Sequence, residues 1–128
     1  MHPAPSIILF TVLSGFGFGL ISITGLLQCF NQISIFDLIT FSILGIILST
    51  VGLVFSFFHL ANKKNAIKSI TQWQTSWLSR EAISSIFCLS LVLANIGWAF
   101  LQNMYINEVG IVMFFLGLFT VFTTSMIY

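Results

Sequence analysis

The 128-residue sequence predicts an all-α, integral membrane four-helix bundle, antiparallel and forming a single transmembrane domain over 1–128. Three observations carry this expectation. The chain is 58% apolar and 5% charged, whereas soluble domains carry about 25% charged residues. Its apolar residues gather into four runs, each close to the roughly 20 residues that a spanning helix needs. The polar material between the runs is brief in two places and long in one, residues 61–80.

Helix one is expected over 5–28. Pro3 and Pro5 suit a helix start, where no backbone N–H is required. A secretory signal is disfavoured, because no Lys or Arg precedes the run and no convincing small-x-small cleavage site follows it. Gly15 and Gly19 form GxxxG with Ser14 beside them, a pattern that lets membrane helices approach closely. A polar turn from Asn31 to Asp37 leads into helix two, expected over 36–60, with no charge between Asp37 and Lys63. Helix three is expected over 81–101, opened by Arg80 and Glu81. A second short turn at 102–107 precedes helix four, expected over 108–128. Short turns make sequential helices antiparallel neighbours. Asp37 and Glu108 stand at helix starts, where the helix dipole favours an acid. Asn95 and Gln102 are expected to join helices through their amides.

Composition also excludes functions. A net charge of +1 offers no basic face for nucleic acid. Cys29 and Cys88 lack metal-ligand spacing and read as ordinary buried thiols. His2 lies on the same side as His59, which raises haem ligation, but one of the two sits at the chain terminus and the pair is poor evidence for it. Neither haem nor metal is expected in this chain.

The chemistry concentrates in 55–81. That stretch holds all four basic side chains (Lys63, Lys64, Lys68, Arg80), together with His59, Trp73, Trp77 and Glu81. Because helices two and three are antiparallel neighbours, His59 and Arg80–Glu81 fall on one side, near the headgroup boundary. Such a group suits a quinol pocket. Oxidising a quinol removes two protons and two electrons, and the proton acceptor needs a pKa near working pH. Histidine is poised there, partial burial moves a carboxylate toward it, and Trp73, Trp77, Phe57 and Phe58 could wall the ring. Blander readings compete. Glu81 could be a helix-start charge paired with Arg80 or Lys68, His59 an interfacial side chain reaching for water, and the tryptophans the ordinary aromatic belt. Lys63, Lys64 and Lys68 read as a headgroup-facing patch or as a dock for a soluble partner.

The segment FHL at 58–60 followed by WQTSWLSRE at 73–81 resembles the membrane-anchor subunit of dimethyl sulfoxide reductases. PSIILFTVLSGFGFGL at 5–20 and TSMIY at 124–128 resemble the start and the fourth-helix end of that family. The resemblance implies menaquinol binding at His59 and Glu81, with Arg80 as an electrostatic supporter. Menaquinol would be an exchangeable substrate. It further implies electron transfer to an iron–sulfur subunit, docked with help from Lys63, Lys64 and Lys68, and onward to a molybdopterin catalytic subunit. The location would be the bacterial cytoplasmic (inner) membrane. Family members commonly have about eight helices, so the chain resembles the N-terminal half of such an anchor. Orientation stays open. Lys/Arg bias places the 61–80 loop in the cytoplasm, while relatives with exported catalytic subunits would place it toward the periplasm. Two other functions compete: a structural anchor without quinol binding, and a small proton-coupled transporter. The second is disfavoured because no span interior carries an ionisable residue of the kind transporters keep near mid-membrane.

Overall fold

The computed structural model describes residues 5–58, 71–72 and 74–127. Four helices make up nearly all of it: α1 (Pro5–Cys29), α2 (Ile35–Phe58), α3 (Trp77–Gln102) and α4 (Asn107–Ile127). All four are long and apolar enough to cross a membrane. Hydrocarbon offers the backbone no hydrogen-bonding partner, so a spanning segment must satisfy its own N–H and C=O groups, as a helix does. The all-α membrane bundle expected from composition is the observed architecture.

The helix ends have local causes. α1 and α3 stop where Asn31 and Asn103 adopt left-handed φ values of 56° and 55°, a conformation that asparagine tolerates and that terminates helices. Ser34 Oγ accepts from the Asp37 N–H at 3.2 Å at the start of α2. Ser76, extended at φ −122°, caps α3 by accepting from the Ser79 N–H. The third helix therefore opens at Trp77, not at Glu81. The cap lies inside a polar stretch where hydropathy gives no signal.

α1 packs along α2 on one side and α4 on the other, α4 packs on α3, and α2 packs more lightly on α3. The central core joins Phe18 and Ile21 of α1 to Cys88 and Val92 of α3 and Met113 of α4. A smaller cluster of Ile33, Leu38 and Ala99 closes the end that carries the short turns. There the Tyr105 hydroxyl donates to the Ile33 carbonyl at 2.9 Å, tying the two turns together. Large apolar side chains elsewhere point outward, Phe36, Phe100 and Leu101 among them, as lipid-facing surface does.

Close packing comes from small residues, but not from the expected pair. Gly15 and Gly19 have open space where a Cβ would stand. The helices meet instead at Gly25 and Gly110, where a Cβ on Gly25 would come within 2.6 Å of the Gly110 carbonyl oxygen. They meet again at Gly52, where a Cβ would come within 2.6 Å of the Ser14 backbone nitrogen. The GxxxG motif faces away from the contacts that hold α1. Gln102, expected to join helices, is exposed.

Candidate functional site

Besides hydroxyls that bond their own helix backbone, two groups of buried polar side chains join helices, one toward each end of the bundle. At the short-turn end, Asn95 Nδ2 donates to Gln28 Oε1 at 2.8 Å and to Met113 Sδ at 3.3 Å. Gln28 Nε2 returns a bond to Asn95 Oδ1 at 3.3 Å and donates to the Ile106 carbonyl at 2.7 Å. Every partner is neutral and every amide is engaged, so this group holds helices together.

The other end, where α3 begins and α4 finishes, carries the chemistry. Glu81 sits in the second turn of α3 and is 2% exposed. Burial of a carboxylate requires partners, and Thr124 of α4 donates its hydroxyl to Glu81 Oε1 at 2.7 Å. Around this pair the hydroxyls interlock. Ser84 Oγ donates to the Glu81 carbonyl at 3.0 Å and lies 3.5 Å from Thr123 Oγ1. Thr123 Oγ1 donates to the Thr120 carbonyl at 2.7 Å. Antiparallel α3 and α4 bring these together because Glu81 and Ser84 are one turn apart on one helix, as are Thr120, Thr123 and Thr124 on the other.

Beside this knot, α3 and α4 leave a groove of about 430 Å³ lined by Trp77, Arg80, Ile83, Ser84, Phe87, Leu116, Phe119 and Phe122. Ligand pockets run to about 300–1,000 Å³ with apolar walls and few polar groups. The Trp77 and Phe122 rings meet edge to face, centroids 6.1 Å apart and planes at 83°. The Arg80 guanidinium lies 4.4 Å over the Trp77 ring and donates to the Gln74 carbonyl at 2.9 Å. Ser84 belongs to both features: it lines the groove, and its hydroxyl touches the knot. Glu81 is not among the lining residues; its carboxylate is turned toward Thr124 of α4.

Of the residues singled out by sequence, the structure gathers Trp77, Arg80 and Glu81 at one end of α3. Glu81 is not the exposed acid of a helix's first turn, because α3 begins four residues before it. His59, Trp73, Lys63, Lys64 and Lys68 lie outside the described residues, as do His2 and the side chains of Phe57 and Phe58. Ser84, Thr123, Thr124 and the α4 wall of the groove were not anticipated. Their signal was present as hydroxyls spaced by helical turns at 81–85 and 120–124, the facing ends of antiparallel neighbours. Among the described residues no three His, Cys, Asp or Glu side chains cluster as metal ligands.

The chain matches the family model described as DMSO reductase anchor subunit (DmsC) over residues 1–128. It is 38% identical over 100 residues to a sulfite dehydrogenase subunit of Allochromatium vinosum, a match covering 73% of this chain and 31% of that relative. The chain thus spans about a third of the length of the curated relative it matches. No solved structure matches it.

Proposed function

The chain belongs to the DMSO reductase anchor subunit family, and from that premise we propose that it is the membrane anchor and electron-transfer subunit of a molybdoenzyme complex, oxidising menaquinol at the Trp77–Glu81 end. One observation carries this reading: an aromatic-walled groove opens next to the helix turn that holds a buried carboxylate, Ser84 lining the groove while its hydroxyl bonds the Glu81 backbone carbonyl and Thr124 bonds the carboxylate itself. The groove's size and apolar walls suit a quinol ring and the start of its tail. Trp77 and Phe122 would hold the ring, and Arg80 would set the field at the mouth. Oxidation releases two protons and two electrons from each quinol. The protons go to Glu81 and His59, and the electrons to an iron–sulfur subunit docked against Lys63, Lys64 and Lys68, then to a molybdopterin subunit. The setting is the bacterial inner membrane.

The test is quinol-dependent turnover of the assembled complex carrying Glu81→Gln or His59→Ala. Each substitution is expected to abolish quinol oxidation while the subunits still co-purify. Normal turnover in both variants overturns the site. A quinol-site inhibitor that neither binds nor perturbs the nearest iron–sulfur cluster would leave a structural anchor as the function.

The relative favours a second reading, since it is a subunit of a sulfite dehydrogenase. On that precedent electrons flow from the catalytic subunit into the membrane, and the same groove receives quinone for reduction. Two protons and two electrons then enter the ring. Acceptor-dependent oxidation of quinol and donor-dependent reduction of quinone, measured on one preparation, decide the direction.

A further inference from the structure

Thr124 Oγ1 lies within hydrogen-bonding distance of two acceptors, Glu81 Oε1 at 2.7 Å and the Thr120 carbonyl oxygen at 3.1 Å. A hydroxyl carries one proton and two lone pairs, so it can donate to only one of them at a time. With Glu81 ionised, the hydroxyl donates to the carboxylate. With Glu81 protonated, the acid donates to Thr124 Oγ1, and the hydroxyl turns its own proton to Thr120. Both arrangements keep every group bonded without moving the backbone. An alanine or valine at 124 would serve neither. A donor-only partner such as a lysine would serve the ionised form alone.

We propose that Thr124 is a positioning residue for proton exchange at Glu81, holding the carboxyl in one place in both its ionised and protonated forms. The role rests on the reading of Glu81 as the proton-exchanging group of the quinol site, and it serves quinol oxidation and quinone reduction alike. Thr124 takes up and releases no proton; its O–H bond stays intact and only rotates. Among the described residues, the titratable or charged groups of α1, α2 and α4 (Cys29, Asp37 and Glu108) lie at the opposite end. On α3 itself, Cys88 lies about two turns away, and Arg80, one residue before Glu81, stacks on Trp77 and donates to the Gln74 carbonyl. Ser84 bonds the Glu81 backbone carbonyl, not the carboxyl, and so leaves the positioning of the carboxyl to Thr124.

The test compares Thr124→Val and Thr124→Ser in the full chain in lipid bilayers and in the assembled complex. Infrared spectra recorded across pH follow the Glu81 carboxyl stretch, identified by its disappearance in Glu81→Gln. Thr124→Val is expected to move that band to higher frequency, as a lost hydrogen bond does, and Thr124→Ser to restore it. In the complex, Thr124→Val is expected to lower quinol kcat about tenfold with little change in KM, the size of one hydrogen bond to a charged group. If the valine variant fails to accumulate, Thr124→Ala provides the same comparison. An unmoved band in the valine or alanine variant overturns the pairing. A moved band with full turnover in Glu81→Gln leaves the pairing intact and overturns the quinol reading on which its role depends.

Discussion

Gln28 and Asn95, 67 positions apart in the chain, form a reciprocal amide pair across the bundle. Each donates to the other, and neither belongs to helices that are neighbours along the chain. In hydrocarbon such a pair is useful because its alternative is an unsatisfied amide, although measured couplings in membrane proteins average only about 0.6 kcal/mol, with a maximum near 1.7. A double-mutant cycle of Gln28→Leu and Asn95→Leu, read by reversible unfolding in mixed micelles, should return a favourable coupling in that range. Strict additivity of the two single variants would show that the pair is geometry without energy.

Glycine substitutions should separate contact from mere spacing. Gly25→Ala would drive a methyl against the Gly110 carbonyl, and overpacking of this kind costs about 1–3 kcal/mol. Gly15→Ala and Gly19→Ala meet no neighbour and gain up to about 1 kcal/mol from improved helix propensity. Thermal melts in one detergent should rank the first variant below the parent and the other two at or above it. The reverse ranking would mean that the GxxxG face is the true contact.

Trp77 forms one wall of the groove and carries the Arg80 guanidinium on its face. Its removal should weaken binding of a ring more than it slows proton transfer. Aromatic pairs contribute about 0.5–1.5 kcal/mol beyond buried area, so Trp77→Ala should raise quinol KM by about 2–10-fold. A steady-state titration of the assembled complex checks it. A loss confined to kcat would place the ring elsewhere.

The lysines between α2 and α3 in sequence make a prediction that depends on charge alone. Exposed charges separated by more than about 8–10 Å are screened at physiological salt, and complementary patches act mainly on encounter. Replacing Lys63, Lys64 and Lys68 together by Gln should slow association with the proposed iron–sulfur partner and flatten its dependence on ionic strength. Surface plasmon traces at two salt concentrations would read both effects. An unchanged on-rate would assign the lysines to headgroups.

Four membrane-spanning helices and their antiparallel order were legible because hydropathy is a sum over many residues and survives local error. The start of α3 was not, because Ser76 acts as a cap through a single hydroxyl in a stretch whose composition is polar on both sides. The choice of glycines failed for another reason. α1 is apolar nearly all round, so periodicity cannot say which of its faces meets protein and which meets lipid; only the positions of α2 and α4 decide between Gly15 and Gly25. Glu81 was singled out in the sequence as a candidate, but its burial against Thr124 was not legible there. That contact joins residues 43 positions apart, and it emerges only when the two helices are set in register. Asn95 was legible as a helix-joining amide; Gln28 as its partner was not, for the same reason.

The neutral amide pair and the Tyr105–Ile33 bond both lie at the short-turn end, while Glu81 lies at the other, and α3 packs on α4 less closely than α1 packs on either α2 or α4. Mechanically this makes a clothes-peg. With the short-turn end pinned by the amides, splaying of α3 from α4 grows with distance from the pin and is opposed beside the groove by the Glu81–Thr124 bond, which acts as a latch. With the latch open, a large, tail-bearing molecule could enter and leave laterally from the bilayer while no helix bends.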